Sequence, residues 1–157
     1  MLKNRWIAIG LVILAVVVFF HFRRALNRLT SEPLEGFDRN HDGVRDDLEK
    51  LINQKYPNSE RHRAAMRQDA VALQKAILHP DDARSIFPEM MRAVDCVFYV
   101  DADHADDLGR MLEAAAVNTP ERVKAYIHFN GVLSGRSYGG MGVSKNSCDL
   151  PLDQMKT

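Results

Sequence analysis

Apolar residues run without a charge from Trp6 to Phe20, and the run extends through His21 to Phe22. A helix built from WIAIGLVILAVVVFF has no polar side to turn to water. Residues 6 to 22 in a helix rise roughly 25 Å, close to a thin hydrocarbon core. A cleavable leader has an apolar stretch of similar length but ends on small residues. Here bulky, basic HFRRALNRL follows instead. Residues 1–30 therefore read as an uncleaved signal anchor: a single transmembrane helix with a juxtamembrane extension. Lys3 and Arg5 precede the run, and Arg23, Arg24 and Arg28 follow it. The positive-inside rule is close to a tie on those flanks.

Beyond the anchor, Pro33 and Gly36 mark residues 31–37 as a linker. Residues 38–157 then form the body, and its apolar spacing is helical. Leu48, Leu51, Ile52 and Tyr56 form one short stripe. Met66, Ala70, Leu73 and Ile77 form the next, in a helix over about 59–78 with Asn58 or Ser59 as its cap. Pro88 predicts a break between a short helix at 81–87 and a longer one at 88–100. Met91, Val94 and Phe98 would face inward on the second. DADHADD opens a helix with Leu108, Met111, Leu112 and Ala115 inside. Asn118 or Thr119, then Pro120, then Gly135 bracket the last helix, and Val123, Tyr126, Ile127 and Leu133 are its expected buried face. No stretch sustains a period of two, and CVFYV is too short to decide between strand and buried helix. The expected fold is all-α: an N-terminal transmembrane helix, then a small domain of five or six helices with a loop-rich C-terminal tail.

Charge sharpens this picture. The first 30 residues hold five basic residues and no acidic one, although the 157-residue chain is neutral overall. From Ser31 onward 16 basic residues face 21 acidic ones, a formal charge of −5. An acidic body argues against a nucleic-acid groove. The chain has two cysteines. Cys96 falls in an expected core helix and would pass for a buried thiol. Cys148, between Ser147 and Asp149, has no apolar stripe to hold it. In an oxidising compartment an even count favours a Cys96–Cys148 disulfide.

The densest chemistry lies in FDRNHDGVRDDLEKLI, residues 37–52. Counted from Asp38, oxygen-bearing side chains stand at positions 1, 3, 5, 9 and 12: Asp38, Asn40, Asp42, Asp46 and Glu49. Gly43 at position 6 allows a sharp turn, and Val44 at position 7 can present its carbonyl. Hard cations such as calcium take six to eight oxygens of these kinds. An acidic helix start would account for Asp46, Asp47 and Glu49, but not for the alternation of Asp38, Asn40 and Asp42 with Gly43. The spacing resembles the calcium-binding loop of the EF-hand family, and more so the DxDxDGxxDxxE variants of bacterial secreted proteins and thrombospondin type 3 repeats. That resemblance spans about 16 residues. It implies Ca2+ ligation by Asp38, Asn40, Asp42 and Glu49, by the Val44 carbonyl, and by Asp46 directly or through water. Two features depart from a paired EF-hand. Position 8 is Arg45 where an apolar residue is usual, and no second loop occurs. A lone loop-helix site follows.

Other candidates fit simpler roles. His104 with Asp101 and Asp107 could suggest zinc or manganese, but no second histidine is near in sequence, and an acidic helix start explains them. GRSYGGMGVSK lacks the Gly-Lys-Ser/Thr ending of a phosphate loop. Tyr126 and His128 sit beside a core stripe, and Asp95 suits a surface pair with Arg92. No nucleophile and base share a recognised motif, so no catalytic residue is assigned. The expectation is an exported calcium-binding protein of the inner (cell) membrane. It crosses once, faces the periplasm or exterior, and acts as a structural or interaction module with an envelope protein partner. The alternatives are an envelope hydrolase with a structural calcium, or a cytoplasm-facing accessory subunit.

Overall fold

The computed structural model describes residues 13–23, 32–135, 137–138 and 142–155. The chain divides into two compact units, Met1–Glu32 and Pro33–Thr157. In the first, residues 13–23 are helical and expose their apolar side chains. The rest of the expected anchor, with its juxtamembrane extension, lies outside the described residues. Among the described residues no helix is long and apolar enough to cross a membrane.

The second unit is helical, with no strand among its described residues. Its helices are α1 (Asp46–Lys55), α2 (Glu60–Leu78), α3 (Ala83–Val100), α4 (Ala105–Ala116) and α5 (Pro120–Leu133). Short 3-10 turns cover Pro80–Asp82, Lys145–Ser147 and Leu152–Gln154. Two of the expected caps form. The Ser59 hydroxyl accepts the His62 amide at 3.4 Å, and the Thr119 hydroxyl accepts the Arg122 amide at 3.3 Å. Each satisfies an amide that the first turn leaves without a partner.

Helix α2 is the central element. Its buried stripe holds Met66, Ala70, Leu73 and Ile77, as the spacing predicts. The main core joins these to Leu48 and Ile52 of α1, Cys96 and Val97 of α3, and Leu108 and Leu112 of α4. A smaller cluster of Ala76, Ala83, Phe129 and Leu133 holds α5.

Several expectations need correction. Pro88 does not break the chain into two helices: α3 runs through it from Ala83 to Val100. An interior proline costs about 3 kcal/mol, which burial of Ala83, Ala93, Cys96 and Val97 offsets. With the helix continuous, the buried face rotates to Ala93, Cys96 and Val97, while Met91, Val94 and Phe98 are only half-buried. On α5 the expected stripe holds at Leu133, is half-buried at Tyr126 and fails at Val123 and Ile127. Val123 and Ile127 are 42% and 66% exposed, and Arg122, Phe129 and Leu133 are buried.

The expected linker also proves to be part of the domain from Pro33 onward. Gly36 closes a turn on the Pro33 carbonyl at 2.9 Å. Arg122, fully buried, donates to the carbonyls of Leu34 at 3.0 Å and Pro33 at 2.9 Å. Gln74 donates to the Glu35 carbonyl at 2.7 Å. Gly36 sits at φ +72°, and a Cβ there would meet Arg45 Cδ at 2.5 Å. Only glycine fits this turn beneath two buried arginines.

At the other end, Cys96 and Cys148 form the expected disulfide, with Cα atoms 4.9 Å apart. Gln68 donates to the Ser147 carbonyl at 2.8 Å and accepts from the Asp149 amide at 2.9 Å. Arg92 pairs with Asp149 at 2.5 Å. Asp95, expected on the surface beside Arg92, is instead buried, with Oδ2 unpartnered among the described residues.

Candidate functional site

The loop from Asp38 to Asp46 turns its first three oxygen-bearing side chains onto its own backbone. Asp38 Oδ2 accepts the Gly43 amide at 2.9 Å. Asn40 Oδ1 accepts the Asp42 amide at 3.3 Å, and Asp42 Oδ1 accepts the Val44 amide at 2.9 Å. These bonds span two to five residues, so the chain must curl tightly. It does so with His41 at φ 59° and Gly43 at φ 85°. The His41 conformation is uncommon for a residue with a Cβ, and the oxygen-to-amide bonds hold it. Asp38 Oδ1 is buried and has no hydrogen-bond partner among the described residues.

The later positions are engaged differently. Asp46 Oδ1 accepts the Arg39 amide at 3.1 Å, and its Oδ2 lies 3.5 Å from Arg39 Nε. Glu49, in the first turn of α1, pairs with Arg67 at 3.0 Å and accepts from Asn40 Nδ2 at 3.4 Å. The structure thus gathers Asp38, Asn40 and Asp42 in one curl and brings Glu49 to Asn40. It leaves Asp46 on Arg39. Among the described residues no three His, Cys, Asp or Glu side chains form a metal-binding group by themselves. Four of the six candidate donors, Asp38, Asp42, Asp46 and Glu49, are carboxylates, and no three of them converge into such a group; the other two are the Asn40 amide and the Val44 carbonyl.

Arg45, the unusual residue at position 8, is 1% exposed. It grips Asp47 with two bonds, at 2.8 and 2.6 Å, and donates to the carbonyls of Ala116 at 2.9 Å and Ala115 at 3.0 Å. Those carbonyls end α4 and have no partner within their helix. Burial pulls Asp47 upward, but the hydrogen bond and charge of Arg45 prevail and hold its carboxyl below the ordinary range. Val44, the preceding residue, is buried in the main core. Arg45 thus joins the loop to the end of α4. It docks the loop onto the domain itself.

A second polar cluster is built around the Asp101 and His104 pair weighed from the sequence. Asp101 ends α3, and His104 precedes α4 and meets Asp101 Oδ1 at 2.9 Å. His62 Nε2 approaches Asp101 Oδ2 at 3.6 Å, and the Tyr56 hydroxyl reaches the same oxygen at 3.5 Å. Ser59 Oγ lies 2.6 Å from His62 Nδ1. One carboxylate therefore ties together the ends of α1, α2, α3 and α4. Burial raises the Asp101 carboxyl, but the hydrogen bond and charge of His104 outweigh it, and the net direction is down. The same hydrogen bond and charge raise His104. Serine, histidine and aspartate stand in a row, yet none of the described cavities is lined by Ser59 or His62. Ser59 caps α2 and His62 stacks on Tyr56 with ring centroids 4.4 Å apart. The row is a helix-end junction. Asp107 pairs with Arg110, and its charge adds to the rise of His104, with which it lines a cavity beside Tyr56 and Asp101.

Tyr126 and His128, beside the expected core stripe, are engaged separately. Tyr126 donates to Glu113 at 3.2 Å, and His128 pairs with Asp81 at 2.7 Å on the surface. Comparison with protein-family models, with curated proteins and with solved structures finds no match for this chain.

Proposed function

We propose that this protein is a membrane-anchored, exported calcium-binding protein that serves as a structural or interaction module of the cell envelope. The apolar run from Trp6 to Phe22 is its single-pass anchor in the inner (cell) membrane, and the domain from Pro33 onward faces the periplasm or exterior. Calcium would be held by Asp38, Asn40, Asp42 and Glu49, by the Val44 carbonyl, and by Asp46 directly or through water. Its contribution there is charge neutralisation and cross-linking of the loop.

The observation that carries the reading is the inward curl of Asp38, Asn40 and Asp42 around Gly43, with Asp38 Oδ1 buried and unpartnered. A carboxylate oxygen removed from water without a partner is costly, and a cation is the partner that two adjacent carboxylates and an amide oxygen suit. Lone sites of this kind in extracellular modules have dissociation constants of roughly 0.1–1 mM. Such a site would be filled outside the cytoplasm. The Cys96–Cys148 disulfide supports the same compartment, because the cytosol keeps thiols reduced.

The reading also explains why so much of the domain converges on the loop. Arg45 joins it to the end of α4, and Phe37 accepts the Asp46 amide at 2.7 Å. Fixing the loop therefore fixes the junction between the Pro33–Phe37 segment and α1.

The test has two arms on the full-length chain. Thermal unfolding should shift upward with calcium and much less with magnesium, which demands a smaller octahedral shell. The gain is about 2.7 kcal/mol at 100 times the dissociation constant, and Asp38→Ala should erase it. A reporter active only outside the cytoplasm, fused after Thr157, should be active. No calcium shift removes the metal site. Activity solely of a cytoplasmic reporter removes the orientation.

A further inference from the structure

Beside the cation loop lies a groove of about 300 Å³ between α2 and the C-terminal turn. Val44, Ala64 and Val71 form one wall, and Leu150, Leu152 and Met155 form the other. The second wall is preformed. The disulfide to Cys96, the paired bonds of Gln68 and the Arg92–Asp149 ion pair all hold the tail in place. Leu150 nevertheless remains 51% exposed at the groove's edge. A half-exposed leucine on a wall fixed by covalent and polar contacts leaves apolar surface that folding has not covered.

The rim is acidic. Asp42, Glu60, Glu89 and Asp149 stand against one guanidinium, Arg67. Arg67 donates to Glu49 and Asn53, and makes no ion pair with the groove's four carboxylates among the described residues. Glu89 and Asp149 have partners in Lys75 and Arg92, whereas Glu60 makes no ion pair among the described residues. The chain from Ser31 onward carries a formal charge of −5. The local rim and the wider charge thus have the same sign.

We propose that this groove docks a protein segment bearing an apolar anchor side chain flanked by lysine or arginine. The volume is at the bottom of the roughly 300–1,000 Å³ range of small-molecule sites, which suits one or two anchoring side chains. Anchors seated in preformed pockets dominate the energetics of such contacts, and rim charges select the partner and speed its approach. Nucleic acid and anionic lipid surfaces are repelled by the same carboxylates. The inference deepens the interaction role proposed above; the groove shares Val44 and Asp42 with the cation loop, whereas the other five apolar wall residues and three of the four rim carboxylates lie outside it.

The experiment is fluorescence anisotropy on the full-length chain, with excess calcium present so that an empty cation loop cannot cause a failure. Three labelled peptides are compared: Lys-Lys-Phe-Leu-Lys-Lys, the same peptide with serine for both apolar residues, and the same peptide with glutamate for every lysine. Only the first should bind, and more weakly as salt rises. Glu60→Lys, a change at an exposed rim position, should weaken it roughly three- to tenfold. Leu150→Lys, at the half-exposed wall, should weaken it by about tenfold or more. Circular dichroism should find both variants folded. No binding by the basic apolar peptide overturns the proposal, as does equal binding of all three, or binding that neither substitution alters.

Discussion

Asp69 offers the sharpest test of the packing. It lies mid-way along α2, 3% exposed, with Glu113 of α4 and Tyr126 of α5 facing it. Burial, and after it the charge of Glu113, raises its carboxyl from 3.8 to about 7. The folded chain therefore keeps a proton that the unfolded chain releases. Below the unfolded value both states are protonated, and Asp69 costs nothing. As pH rises from there towards about 7 the unfolded state gains, and stability falls. Above that value Asp69 is ionised in both states and the full cost remains. At 1.36 kcal/mol per pH unit, the gap from 3.8 to about 7 amounts to about 4 kcal/mol. Asn at this position keeps the shape and cannot ionise. Asp69→Asn should therefore leave stability near pH 4 almost unchanged and raise it near pH 8 by up to about 4 kcal/mol, on the order of 10 °C in melting temperature. The assay is thermal unfolding of both proteins across that range without reductant. Asp47 and Asp101, whose carboxyls are held low, contribute stability that is lost in acid. They do so in both proteins, so the difference isolates Asp69. Parallel pH profiles for the two would refute the argument, and so would a destabilised variant at alkaline pH.

The other expected outcomes concern the loop and its supports. Cys148→Ser removes a link between residues 52 apart and should cost up to about 4 kcal/mol, read as a lower melting temperature that reductant lowers no further. Gly36→Ala forces a Cβ against Arg45 and Arg122 at a positive φ and should cost more than about 1 kcal/mol in chemical unfolding. Arg67→Ala frees Glu49 from its ion pair and should tighten calcium binding several-fold in a calcium titration, whereas weaker binding would mean that Arg67 supports the loop.

Legibility followed the range of the interactions. The caps at Ser59 and Thr119, the α2 stripe and the tight curl around Gly43 are local patterns, and each could be read from a few neighbouring residues. The cysteine pair was legible because two cysteines admit only one pairing. The α5 face was misread because Arg122 goes inward. Its donors are met by Pro33, Leu34 and Asn118, and the first two lie almost ninety residues away. Hydropathy assigns an arginine to water and cannot see carbonyls brought from another segment. The α3 face was misread because Pro88 suggests a break wherever tertiary burial is not in view. Arg45 was noted as out of place in the loop, and its role emerged only with the α4 carbonyls beside it. Asp101 and His104 are near neighbours in DADHADD, but the Tyr56 and His62 contacts to Asp101 and the Glu113 partner of Asp69 lie dozens of positions away, where no short window reaches.

The central claim is that the curl from Asp38 to Glu49 binds one calcium ion. Equilibrium dialysis of the purified full-length chain against labelled calcium measures this directly. The account predicts one ion per chain with a dissociation constant of roughly 0.1–1 mM, abolished by Asp38→Ala and by Glu49→Gln. No bound calcium in the wild-type chain, or the same binding in both variants, would contradict it.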